Sequence, residues 1–134
     1  MSYASARAAS TYLQTATQSR TPLELVVMLY DGALRFIGTA RAALDRGDVR
    51  ARTDAISRAL AIVSELQNTL DMDAGGEIAT QLDELYRFVI ALLMDASFRQ
   101  DAAALDLAER TLREVRSGWA AIAAGTTGGS EPAR

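Results

Sequence analysis

The stretch Thr21-Pro22-Leu23-Glu24-Leu25-Val26-Val27-Met28-Leu29-Tyr30-Asp31-Gly32-Ala33-Leu34 constrains the fold more than any other part of the chain. Thr21 is placed to cap a helix, Pro22 suits the first helical position, and Glu24 stands at the capping-box site. The helix is predicted to continue through Phe36, Ile37, Ala40 and Leu44 to about Arg46, where Gly47 stops it. At helical spacing its apolar side chains form two adjoining bands. One holds Leu25, Met28, Leu29, Ala33, Phe36 and Ala40, and the other Leu23, Val26, Tyr30, Leu34, Ile37 and Leu44. Together they span roughly 260°, where a surface helix needs little more than about 100°. Such a helix must be enclosed on nearly every side.

Three further helices follow. Gly47-Asp48 makes a tight link that forces helices 1 and 2 to be antiparallel neighbours. Helix 2, about Val49 to Leu70, carries Ile56, Ala59, Val63, Leu66 and Leu70 in a 3–4 seam, widened by Leu60 and Ile62. Residues 71–76, Asp-Met-Asp-Ala-Gly-Gly, read as a loop. Helix 3, about Glu77 to Ser97, has its seam at Ile78, Leu82, Leu85, Val89, Leu92 and Ala96, with Tyr86, Phe88, Ile90, Leu93 and Met94 outside it. Asp101 caps helix 4, which runs to about Ala124 on Leu105, Ala108, Leu112, Val115, Trp119 and Ile122. The reading is all-α: an antiparallel up-down four-helix bundle over 21–124, with an N-terminal arm (1–20) and a flexible tail (125–134). Tyr12 and Leu13 are the anchors by which the arm could dock.

Helices 1 and 3 carry more apolar surface than closure of a bundle requires. One reading makes them central elements. The other exposes part of the surplus as a groove for an apolar partner segment. The off-seam candidates for exposure are Val26, Val27, Tyr30, Leu60, Ile62, Tyr86, Phe88, Ile90 and Met94. Charge introduced at Tyr30, Ile62 or Tyr86 is accordingly expected to weaken partner binding.

Most catalytic chemistry is excluded by what the chain lacks. It has no cysteine and no histidine, and its basic residues are all arginine. A di-metal carboxylate centre of the usual kind needs inward Glu-x-x-His pairs, and serine or threonine has no His or Lys to act as base. Gly75-Gly76 lacks the lysine and the strand of a phosphate loop, and Asp71-x-Asp73 lacks the glutamate that completes a calcium loop. No cofactor, no metal site and no enzyme activity is expected. A net charge of −3, with arginines scattered among acids, argues against nucleic-acid binding. No apolar run approaches a membrane span and the N-terminus is not a signal peptide, so a cytoplasmic protein without membrane insertion is expected.

Thr21-Pro22-x-x-Leu25-x-x-Met28-Leu29-Tyr30-Asp31-Gly32-Ala33, then Gly47-Asp48-Val49, Leu70-Asp71, Gly75-Gly76-Glu77-Ile78-Ala79, Leu82-x-Glu84-Leu85-Tyr86 and Trp119 resemble the flagellar secretion chaperone FliS family. The likeness is co-linear from about Tyr12 to Ile122. It implies a four-helix bundle that binds the disordered C-terminal segment of flagellin in the cytoplasm. Such a chaperone prevents premature polymerisation and delivers the subunit to the flagellar type III export gate. It makes Tyr12, Leu13, Val26, Val27, Tyr30, Leu60, Ile62, Tyr86, Phe88 and Ile90 the candidate flagellin contacts. Tyr12 and Leu13 match the arm that lies over the binding surface in the family. An anti-sigma factor is a candidate competitor. The alternative is a bundle adaptor or dimerisation module in which helices 1 and 3 pair with a second copy, so the chain is expected as a monomer or weak homodimer.

Overall fold

The structure is a computed structural model, described here for residues 21–127. The anchors Tyr12 and Leu13 therefore lie outside the described residues, as does the tail beyond Thr127. Four helices make up the described chain: α1 (Pro22–Asp45), α2 (Val49–Asn68), α3 (Met72–Phe98) and α4 (Ala102–Thr127). Each packs against its two neighbours in the order α1–α2–α3–α4–α1, and the diagonal pairs keep their backbones apart. This is the up-down antiparallel bundle.

The local signals explain the helix ends. The Thr21 hydroxyl accepts from the Glu24 amide at 3.1 Å, and the Glu24 carboxylate accepts from the Thr21 amide at 3.0 Å. This reciprocal box satisfies two amide hydrogens that the helix itself leaves unpaired. Gly47 turns the chain at φ 74°, and Asp48 caps α2 by accepting from Ala51 N at 3.0 Å. Asp101 does the same for α4, accepting from Ala104 N at 3.0 Å.

Of the expected loop at 71–76, residues 72–75 form a helical turn instead, and the helical geometry breaks at Gly76. Asp71 is a true N-cap, accepting from Ala74 N at 3.0 Å, and Asp73 adds negative charge to the first turn. The glycine pair does break the helical geometry, as expected, but as a kink between two helical pieces of α3. Gly76 adopts φ 54°, ψ −131°, a conformation that side-chain-bearing residues avoid, and helical structure continues on both sides. At the far end α4 runs past Ala124 to Thr127, absorbing the first residues of the expected tail.

The core contains Leu29, Tyr30, Ala33 and Ile37 of α1, Ile56, Ala59, Ile62, Val63 and Leu66 of α2, Tyr86, Val89 and Leu93 of α3, and Leu105, Ala108 and Leu112 of α4. Small side chains let helix axes approach. Both α1 and α2 bury them, at Ala33, Ala40, Ala43, Ala55 and Ala59, and this pair makes the most extensive contact of the bundle. Polar bridges tie the other sides. Arg41 joins Asp106 at 2.9 Å and Arg116 pairs with Asp31 between α1 and α4. Gln67 donates to Asp83 at 2.9 Å between α2 and α3. At the opposite end of that interface the buried Arg52 donates to the Ser97 carbonyl, one of the orphan acceptors at the end of α3.

Candidate functional site

The starts of α1 and α3 and the ends of α2 and α4 meet at one end of the bundle, where the seams run out of partners. They leave an apolar cleft of about 420 Å³. Pro22, Leu23 and Val26 come from α1, Leu66 from α2, and Thr69, Leu70 and Asp71 from the connection that follows. Ala74, Gly75, Ile78, Ala79, Leu82 and Tyr86 of α3 and Trp119 of α4 complete it. A second groove of about 380 Å³ lies between α3 and α4, lined by Leu85, Val115 and Ile122 with Ile78, Leu82 and Trp119 again. The three shared residues join the end cleft to the side groove as one apolar path.

The kink builds one wall of the cleft. A Cβ on Gly75 would meet the Ala79 Cβ at 2.6 Å, so the close turn of α3 that shapes this wall requires glycine there. Ile78, the residue expected to begin the seam of α3, is 68% exposed because it stands at the mouth of both openings rather than between helices. Ile122 is 53% exposed for the same reason, at the rim of the side groove.

Beneath the cleft, Tyr86 and Tyr30 face each other. Their hydroxyls are 2.8 Å apart and their rings are tilted at 55° with centroids 6.3 Å apart. Burial pushes both phenols up from the ordinary tyrosine range. For Tyr30 the bond from Tyr86 and the nearby Trp119 offset part of this, whereas for Tyr86 the neighbouring Tyr30 adds to it. The indole Nε1 of Trp119 is buried and lacks a hydrogen bond of good geometry, although it lies near the Tyr30 hydroxyl. The paired phenols are the polar groups beneath an otherwise apolar cleft.

The expected contact residues within the described chain differ in burial. Val26 and Tyr86 line the cleft. Val27, Leu60 and Ile90 are half-buried, and Leu60 and Ile90 pack on the core from outside. Tyr30, Ile62 and Tyr86 are not exposed, contrary to expectation, because the core at their level takes in more of α1, α2 and α3 than a two-position seam. A charge at Tyr30 or Ile62 would therefore test folding rather than binding. Little of the apolar surplus of α1 is open: none of its large apolar residues is exposed, and Leu23 and Val26 are half-buried in the cleft wall. More of that of α3 is open: Phe88 is 47% exposed and Phe98 80%, with Met94 between them. Leu23, Leu70, Ile78, Leu82 and Trp119 were missed as site residues because their seam spacing reads as core. The available signal was the small-residue run Ala74-Gly75-Gly76 beside Ile78, which leaves large apolar neighbours without cover.

A sequence profile described as "Flagellar protein FliS" matches residues 4–126. The chain is 40% identical over 111 residues to the flagellar secretion chaperone FliS of Salmonella typhimurium, covering 82% of each chain. It is 34% identical over 110 residues to the flagellar secretion chaperone FliSB of Pseudomonas aeruginosa, covering 82% of this chain and 87% of the relative. The Bacillus subtilis FliS chaperone is 29% identical over 108 residues, covering 81% and 80%.

Proposed function

Because the chain belongs to the flagellar secretion chaperone FliS family, we propose that it binds the C-terminal segment of flagellin, keeps it from polymerising, and hands it to the type III export gate. The observation that carries this reading is the apolar path through Ile78, Leu82 and Trp119, which joins the end cleft to the α3–α4 groove. A disordered segment that folds on binding needs a rigid apolar template to offset its ordering, about 2–5 kcal/mol or more. A continuous path on a four-helix scaffold supplies one. Its place of action is the cytoplasm. Among the described residues no helix is long and apolar enough to cross a membrane.

The N-terminal arm enters this proposal as a cap. Pro22 and Leu23 line the cleft, and the chain that separates Tyr12 and Leu13 from Pro22 would span at most about 36 Å if fully extended. Displacement of the arm would accompany client binding, and an anti-sigma factor would compete where it uses the same path.

Isothermal titration with a peptide from the flagellin C-terminus tests the reading. One-to-one binding with a large negative heat-capacity change supports it. Absence of binding overturns it. Self-association is the second reading, favoured by the exposed Phe88, Met94 and Phe98 on α3. It predicts a sedimentation coefficient that rises with protein concentration.

A further inference from the structure

Charge is unevenly spread along the bundle. At the cleft end the described residues carry Glu24, Glu65, Asp71, Asp73 and Glu77. Asp71 lines the cleft itself, and Asp73 and Glu77 are exposed on the same kinked turns of α3. Over 21–30, 61–79 and 117–127, the stretches that converge on this end, there is no basic residue. The next arginine along α4, Arg116, is held by Asp31. Farther along α1, the link and α2, Arg35, Arg41, Arg46, Arg50, Arg52 and Arg58 stand among Asp31, Asp45, Asp48 and Asp54, several of them ion-paired. Beyond the cleft end the described acidic and basic side chains are in balance, so the negative charge of the described bundle is concentrated at that end.

We propose that the segment entering the end cleft carries arginine or lysine beside its apolar side chains, and that the acidic rim selects it on approach. The inference rests on the flagellin-chaperone reading for the identity of the client. Apolar walls reward any apolar side chain and give little orientation. Rim charges add little to the affinity of a formed complex but steer encounter and repel segments of the same sign. An acidic segment would meet Asp71, Asp73 and Glu77 as it entered. Two copies of this chain meeting cleft to cleft across a two-fold axis would oppose the same carboxylates to themselves. The charge pattern therefore favours a basic-flanked segment over a symmetric dimer at this end.

The chain contains a single tryptophan, and Trp119 borders both parts of the path, so its fluorescence reports occupancy directly. The test is stopped-flow association of a flagellin C-terminal peptide between roughly 50 and 300 mM NaCl. It is run on the parent and on the triple variant Asp71→Asn, Asp73→Asn, Glu77→Gln. Asparagine at position 71 keeps the helix cap, and circular dichroism checks the fold. The parent rate should fall about tenfold over that range, and the variant should start slow and respond little to salt. A peptide whose Arg and Lys are replaced by Gln should behave with the parent protein as the variant does with the original peptide. Calorimetry separates the two readings. Binding that is intact but equally fast in parent and variant overturns the rim inference alone. Binding that calorimetry cannot detect at any salt overturns the client reading and this inference with it.

Discussion

The Tyr30 and Tyr86 hydroxyls meet at 2.8 Å across the diagonal of the bundle, between two helices whose backbones do not approach each other. Two long aromatic side chains fill the centre, and each supplies the polar partner the other needs once water is excluded. Because Tyr86 also lines the cleft, this bond links the core to the floor of the proposed binding surface.

Removing one hydroxyl should cost more than its own bond. Tyr30→Phe leaves the Tyr86 hydroxyl without its protein partner and is expected to destabilise by about 1–3 kcal/mol. Tyr86→Phe should cost less, since the Trp119 indole lies near the Tyr30 hydroxyl. The double variant should lose less than the two single losses together, by about 1 kcal/mol. Urea denaturation of the four proteins measures the coupling, and additive losses would mean the bond contributes nothing.

The same pair makes stability fall in alkali. Both phenols are raised in the folded protein, so the folded state keeps protons that the unfolded chain releases above about pH 10. The contribution is fully present below that value and is lost as pH climbs towards the folded values. Denaturant midpoints should drop between about pH 10 and pH 12. Tyr30→Phe/Tyr86→Phe should flatten that drop.

Alanine at either kink glycine should loosen the cleft wall. Gly76→Ala forces a side chain into a left-handed backbone conformation, a strain of about 1–3 kcal/mol. Gly75→Ala must displace the Ala79 methyl or move the first turn of α3. Thermal melts should fall for both. Limited proteolysis should show earlier cutting near Asp71–Gly76 while the remainder of the bundle stays protected.

Charge on the surface should map the client path. Leu82→Glu, at a position shared by cleft and groove, is expected to weaken flagellin-peptide binding at least about tenfold with helicity intact. Phe88→Glu, outside both openings, should leave the affinity near the parent value. The reverse result would move the site to the outer face of α3. Tyr30→Asp and Ile62→Asp should instead lower helicity or solubility, because each places an unpaired charge in the core.

The family match adds what packing cannot, but the helices themselves were written locally. The Thr21 box, the Gly47-Asp48 link and the Asp101 cap each act within a few residues, and apolar spacing fixes which stripe of each helix is wet or dry. Those signals suffice for four antiparallel helices. They do not say where along a helix its neighbours stop, and burial depends on that. Ile62, Tyr30 and Tyr86 lie where all four helices are present and are enclosed, whereas Ile78 continues a seam past the point where it is covered. Likewise a glycine pair signals a break, but whether the chain stops or bends there was decided by Asp71 capping one side and Ala79 packing on the other. The sequence by itself determined the number, order and direction of the helices. Only the tertiary structure decided which apolar residues remain open, because exposure is a property of neighbours distant in the chain.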